Sequence, residues 1–85
     1  MRVVYTKHAK GKFKILRELN IRVSRVDISN ALRHPDFHGT DLDRNAEFVL
    51  KKINNVLNLR VIYAKKDDII IVITFHPTER GRYIK

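Results

Sequence analysis

The chain has 85 residues, no cysteine and a formal net charge of +9, from 18 Lys and Arg against 9 Asp and Glu. This length predicts one small domain, 1–85, and the lack of cysteine excludes a disulfide framework and a zinc ribbon. Because the chain has no apolar run of about 18 residues and no signal-peptide pattern, we expect a cytoplasmic protein without a membrane partner.

Positive charge is concentrated at the start of the chain. Residues 1–26 contain eight basic side chains against Glu18 alone: Arg2, Lys7, Lys10, Lys12, Lys14, Arg17, Arg22 and Arg25. An uneven basic surface of this kind is typical of proteins that bind nucleic acid or another polyanion. A solvated basic surface without a partner is the alternative.

The first elements are predicted to be a short edge strand and a helix. Arg2–Tyr5 has strand composition, and Thr6 is suited to cap a helix over 7–19. Helical spacing places four apolar residues toward the sheet: Ala9, Phe13, Leu16 and Leu19. A second row is basic and forms either a solvated face or a binding surface for phosphates: Lys7, Lys10, Lys14 and Arg17.

A second helix is predicted from Ser24 to about Arg33. Ser24 and Asp27 have the spacing of a capping box, and Pro35 disfavours helix at the residue before it. Residues 34–46 are predicted to be a polar loop. This loop contains two histidines and three aspartates, but their spacing matches no rigid ligand set, so we predict no metal site and no cofactor.

The remainder is predicted to be three strands, over 47–53, 57–63 and 68–75. Alternation places two apolar sets on the core face: Leu57, Leu59, Val61 and Tyr63 from one strand, and Ile69, Ile71, Ile73 and Phe75 from the next. An odd-length loop then pairs Arg60 with Thr74 and Asn58 with His76 on the other face. The predicted fold is α+β, in the order β-α-α-β-β-β, with an antiparallel sheet and both helices packed on one face.

One pattern of residues spans nearly the whole chain: Thr6, His8-Ala9, Arg17, Ile21, Ile28, Ala31-Leu32, Pro35, Leu59-Arg60-Val61-Ile62-Tyr63 and Val72-Ile73-Thr74. This pattern resembles that of a family of small prokaryotic proteins related to the RelE/ParE toxins. The resemblance implies the RelE/ParE fold. It also implies partners, namely RNA, within the ribosome for RelE-type members, and an acidic antitoxin protein.

The resemblance matches Arg60 to a sheet arginine of RelE-type nucleases, and Arg82 and Tyr83 to a C-terminal pair that acts on mRNA. The residue types fit metal-independent RNA cleavage, because arginine stabilises a charged phosphorane and histidine and tyrosine transfer protons. The candidate catalytic set is therefore Arg60, His76, Arg82 and Tyr83. The candidate nucleic-acid-binding set is Lys7, Lys10, Lys14, Arg17 and Arg80.

Three functions remain open at this point. The first is a toxin-like, metal-independent endoribonuclease, which needs a converging acid, base and arginine. The second is a non-catalytic RNA-binding module, which needs only cations and stacking rings. The third is a protein-interaction module, which needs an exposed apolar groove or strand edge. ParE-type members poison gyrase and are not nucleases, so the resemblance by itself does not establish an enzyme.

Overall fold

The computed structural model describes residues 2–79 as two helices and five strands. The elements, in chain order, are β1 (Arg2–Tyr5), α1 (Lys7–Glu18), α2 (Arg25–Arg33), β2 (Phe37–Asp41), β3 (Ala46–Lys52), β4 (Leu57–Lys66) and β5 (Ile69–Glu79). Within these residues, no helix has the length and apolar character needed to cross a membrane.

The strands form one mixed sheet in the order β1-β5-β4-β3-β2. The four strands from β2 to β5 are an antiparallel meander, and β1 runs parallel to β5 at the edge. The fold is therefore α+β, but the prediction of a wholly antiparallel sheet is wrong. Because β1 and β5 are joined through most of the chain and not by a hairpin turn, nothing forces them to be antiparallel.

Strand β2 replaces part of the predicted polar loop, so the predicted order β-α-α-β-β-β lacks one strand. Its sequence has no clear apolar alternation, because the positions that follow Phe37 on the same face are Gly39 and Asp41. Within the described residues, the strand lies at the sheet edge and pairs with β3, from Phe37 opposite Leu50 to Asp41 opposite Ala46. A four-residue turn, in which Asn45 has a φ of 51°, leads into β3.

Both helices begin at the predicted caps and lie on one side of the sheet. The Thr6 hydroxyl accepts a hydrogen bond from the Ala9 N–H at 3.1 Å, and Ser24 forms the reciprocal capping box with Asp27. Burial of the inner helix faces against the sheet supplies most of their stability, because helices this short are marginal alone. Four helix residues join the strands in the main core: Ala9, Leu16, Ile28 and Ala31.

A β-bulge decides the pairing of the central strands. The loop between β4 and β5 has two residues, so Lys66 pairs with Ile69, and Asp67 in this turn has a φ of 56°. Between Tyr63, opposite Val72, and Ile62, opposite Thr74, the extra residue of β5 is Ile73. The Thr6 hydroxyl donates a hydrogen bond to the Ile73 carbonyl at 2.9 Å and thereby ties the start of α1 to the bulge.

The bulge corrects two sequence predictions. Arg60 pairs with His76, and not with Thr74, because the loop is even and the extra residue absorbs the mismatch. The first half of β5 therefore presents the opposite residues to the helices: Ile70 and Val72 are in the main core, whereas Ile73 packs on the other side. The predictions for Phe75 and for the β4 residues Leu59, Val61 and Tyr63 are confirmed.

We expect Ile70→Ala to destabilise the protein far more than Ile71→Ala. Ile70 is 5% exposed and lies in the main core, while its neighbour Ile71 is only half-buried. Truncation of a buried isoleucine costs about 2–5 kcal/mol, so the first variant should lose that much unfolding free energy in urea titrations. The reverse ranking would place Ile71 in the core and contradict the bulge.

Candidate functional site

The side of the sheet away from the helices, here called the open face, carries a cluster of charged side chains. Arg60 of β4 and His76 of β5 are directly opposite each other in the register. The Arg60 guanidinium lies over the ring of Phe48 from β3, with its carbon 4.3 Å from the ring centre. Its side chain is only 14% exposed, because Asp41 and Phe48 enclose it.

Asp41 is the carboxylate that organises this cluster. Its side chain is 6% exposed, and one oxygen accepts hydrogen bonds from Arg44 at 3.0 Å and from Arg60 at 3.2 Å. The other oxygen accepts the Arg44 backbone N–H at 3.2 Å. Burial alone would raise the pKa of Asp41, but the bonds from Arg44 and the charges of both arginines outweigh it and lower the pKa below 3.8.

The stack under Arg60 depends on a glycine. A Cβ atom at Gly39 would lie 2.6 Å and 2.7 Å from two ring carbons of Phe48, well inside van der Waals contact. The absence of a side chain at Gly39 lets the Phe48 ring lie against β2, where it also meets Phe37 with ring centres 6.0 Å apart. Arg60, Phe48 and Gly39 therefore form three layers across neighbouring strands.

His76 is half-buried beside Arg60 and has an altered proton affinity. Burial, followed by the positive charges of Arg60, Lys12 and Arg44, lowers its pKa below 6.5, and the charge of Asp41 opposes this only in part. The imidazole therefore holds a proton less readily than an ordinary histidine does, and its neutral form can accept one. Lys12 comes from α1, which runs alongside β5.

Two threonines flank His76 on the same face of β5. Thr74 and Thr78 are both buried, and within residues 2–79 neither hydroxyl oxygen makes a hydrogen bond. Buried hydroxyls of this kind are usually satisfied by water or a ligand. His76 therefore has buried hydroxyl groups beside it on β5 as well as the charged side chains of the cluster.

Of the predicted catalytic set, the structure brings Arg60 and His76 together. Arg80, Arg82 and Tyr83 lie outside the described residues. Sequence reasoning missed Asp41 and Arg44 because both were assigned to a polar loop, and it missed Lys12 because that residue is outside the basic row. The sequence signal for this pair was Asp41-x-x-Arg44, an acidic and a basic residue at a spacing that allows an ion pair across a tight turn.

The basic row of α1 lies apart from this cluster. Its four side chains are exposed: Lys7, Lys10, Lys14 and Arg17. Because an α-helix turns about 100° per residue, Lys12 projects roughly 140° to 160° away from Arg17 and Lys10. The sequence-predicted binding row and the open-face cluster are therefore two separate surfaces.

The open-face cluster can bind a phosphate and move a proton. Arg44, whose side chain is 50% exposed, offers its guanidinium to solvent, while Arg60 is held below it. Arginine donates to phosphate oxygens in a planar fork, and a neutral histidine accepts a proton from a hydroxyl. Among the described residues, no three His, Asp or Glu side chains are close enough together to hold a metal ion.

We expect the stability of the protein to fall as the pH is lowered through 6.5. The pKa of His76 is lowered in the folded state, so below pH 6.5 the unfolded chain binds its proton more readily. The contribution of His76 is fully present above about pH 7.5 and is lost toward the folded-state pKa. His76→Gln should flatten this dependence in urea unfolding between about pH 7.5 and 5.5, whereas His34→Gln, at an exposed position, should not. A wild-type slope in the His76 variant would contradict the assignment.

We expect Gly39→Ala to destabilise the protein by about 1–3 kcal/mol, because its Cβ would displace the Phe48 ring. The Arg60 side-chain NMR signals should shift with it, since the guanidinium rests on that ring. Gly11→Ala is the matched control: nothing lies within 4 Å of its Cβ, so it should stabilise α1 by about 1 kcal/mol. Unchanged Arg60 signals in Gly39→Ala would show that the stack is not coupled to the glycine.

A comparison of the chain with protein-family models, curated proteins and solved structures found no match. Its function is therefore inferred from the residues of the open face and from the sequence resemblance.

Proposed function

We propose that the protein binds RNA on its open face and cleaves it without a metal ion, as a relative of the RelE/ParE toxins. The observation that carries this proposal is the register pair of Arg60 and His76. It sets an imidazole with a lowered pKa beside a guanidinium on the same sheet face. Two helices on one side of the sheet, and a basic surface, also fit the resemblance.

The charge of the cluster favours a phosphodiester. Besides burial, three cations lower the pKa of His76, namely Arg60, Lys12 and Arg44, and the single carboxylate of Asp41 opposes them. Asp41 neutralises part of this charge, yet the cluster keeps a net positive charge next to the imidazole. A phosphate would bind there through the exposed Arg44 first, because Arg60 is mostly enclosed.

The reaction would use the RNA's own 2′-hydroxyl. His76 takes the proton from the 2′-oxygen, which bonds to phosphorus while the bond from phosphorus to the 5′-oxygen breaks. Arg44 stabilises the additional negative charge of the phosphorane. Arg60 adds positive charge to the site and shares the Asp41 carboxylate with Arg44. The products are a 2′,3′-cyclic phosphate and a 5′-hydroxyl. The resemblance matches Arg82 and Tyr83 to a C-terminal pair that acts on mRNA. By residue type, Tyr83 suits the donation of a proton to the leaving oxygen.

The resemblance also supplies the proposed setting. It suggests mRNA within the ribosome as the substrate, an acidic antitoxin protein as the partner and the cytoplasm as the location. These remain proposals that rest on the quoted sequence pattern. The basic surface supports the RNA partner independently, because a chain of net charge +9 attracts polyanions over a distance.

The decisive experiment compares His76→Gln with His34→Gln, whose histidine is exposed at the end of α2. RNA should be incubated with each protein in chelator, with and without ribosomes, and the product ends identified. His76→Gln should cleave at least about 10²-fold more slowly, the usual loss for one proton-transfer group, while His34→Gln keeps the wild-type rate. RNA affinity should fall much less, because the cations remain.

The pH profile is a second readout of the same role. If neutral His76 is the base, the cleavage rate should rise with pH and reach its plateau below the range of an ordinary histidine. Intact RNA in both assays at high protein concentration would favour the non-catalytic binding module. Cleavage that persists in His76→Gln would place the chemistry elsewhere.

A further inference from the structure

A cationic groove runs along the helix side of the molecule, opposite the open face. Two adjoining cavities form it, of about 210 Å³ and 470 Å³, and they share Arg22, Val23 and Asp27 as walls. One end is lined by Arg17 of α1, and the other end is lined by Lys51 and Lys52 of β3. The groove therefore spans from the first helix to the end of the sheet.

The charges of this groove are unequal. It has four cationic side chains, Arg17, Arg22, Lys51 and Lys52, and one carboxylate in its walls, Asp27. That carboxylate is already occupied, because it accepts the Ser24 N–H at 2.8 Å and the Ser24 hydroxyl at 3.0 Å.

Outside the walls, Asp36 reaches Lys51 at 3.8 Å, which is a long and partly exposed contact. Arg17, Arg22 and Lys52 are exposed, and within residues 2–79 none of them forms an ion pair. Three cations along the groove are thus available to an anion from solution.

The basic row of α1 continues the groove. Lys10, Lys14 and Arg17 follow at spacings of four and three, so they lie one above another on the helix surface. Arg17 is both the last member of this row and a wall of the groove. A continuous line of cations therefore leads along α1 and past Arg22 to the end of β3.

We propose that this groove is a second RNA-binding surface, which holds the phosphate backbone outside the cleavage site. It deepens the proposed function and rests on it for the identity of the polyanion. The line of cations suits a chain of phosphates, because each of its members reaches solvent. Its apolar walls are Leu59, which is 2% exposed, the half-buried Val23 and Phe13, and Ile53, which is 40% exposed. A single exposed apolar residue offers little to an amphipathic acidic helix.

The two surfaces lie back to back on β4. Leu59 lines the groove, and the next residue, Arg60, belongs to the open face, because successive side chains of a strand point to opposite sides. One extended strand cannot occupy both without passing around an edge of the sheet. The groove therefore binds a different segment of the RNA from the one that meets His76.

The test compares Arg22→Gln/Lys52→Gln with Lys65→Gln/Lys66→Gln. Both variants lose two exposed cations, but the control pair lies at the other end of β4, roughly 20–30 Å along the strand. The probe is a 2′-O-methyl RNA of about 12 nucleotides, within the usual length of a single-strand site, which has no free 2′-hydroxyl and so cannot be cleaved. Affinity is measured over a range of salt concentrations, and thermal unfolding confirms that both variants fold.

The groove variant should flatten the slope of log affinity against log salt by about 1.4, since each phosphate contact in single strands contributes about 0.7. The control should change the slope by less than half of that. Equal slopes in the two variants would contradict the proposal that the groove binds RNA. A poly-glutamate peptide of the same charge that competes with RNA at equal concentration, and does so only in the wild type, would assign the groove to acidic protein instead.

The outcomes separate this inference from the proposed function. Suppose that the wild type binds and cleaves RNA while the groove variant keeps the salt slope of the control. The groove then does not bind RNA, and the proposed nuclease function is unaffected. Suppose instead that RNA binding depends on the groove but His76→Gln and wild type are equally inactive on cleavable RNA. The groove is then an RNA-binding surface, and the proposed nuclease function is wrong. A wild type that binds no RNA at low salt overturns both.

Discussion

The extra residue in β5 is the constraint on which the open face depends. The two-residue turn after β4 pairs Lys66 with Ile69, and without correction this register would carry the wrong side chains onto each face farther along the hairpin. Ile73 absorbs the mismatch, so that Phe75 returns to the core and His76 comes to lie opposite Arg60. The hydrogen bond from the Thr6 hydroxyl to the Ile73 carbonyl holds this irregular backbone against the first helix. The site and the core are thus set by the same local feature.

Asp41 makes the arginine cluster compatible with folding. Two guanidinium groups near a half-buried histidine would repel one another and would be costly to enclose without an anion. The carboxylate of Asp41 accepts bonds from Arg44 and Arg60, and the Phe48 ring supports Arg60 from below. The interaction has a functional consequence as well, because it leaves one arginine enclosed and the other half exposed. Under the proposed function, this difference in exposure favours a structural role for Arg60 and a phosphate-binding role for Arg44.

A small sheet with helices on one side offers two unlike surfaces for a polyanion. The open face combines cations with a titratable group, and it is therefore suited to chemistry. The helix side offers a groove with cations but with no histidine in its walls, and it is therefore suited to binding alone. Under the two proposals, binding takes place on one side of β4 and cleavage on the other. A protein of 85 residues would then bind one part of an RNA while it cleaves another. It would also separate affinity from rate, since each surface can be altered without touching the other.

Local signals in the sequence were sufficient for the helices, their caps and the α+β class. Thr6 and Ser24 act through neighbours three residues away, and such short-range bonds are visible in a sequence. Alternation likewise identified the core face of β4, because Leu59, Val61 and Tyr63 follow an unbroken period of two. The sequence alone also indicated Arg60 and His76 as candidates by residue type. Only the tertiary structure decided their pairing, the existence of β2 and the part played by Asp41. Each depends on contacts between distant strands: a bulge shifts register without a clear local signature, and an edge strand of polar residues forms because its neighbour is already there.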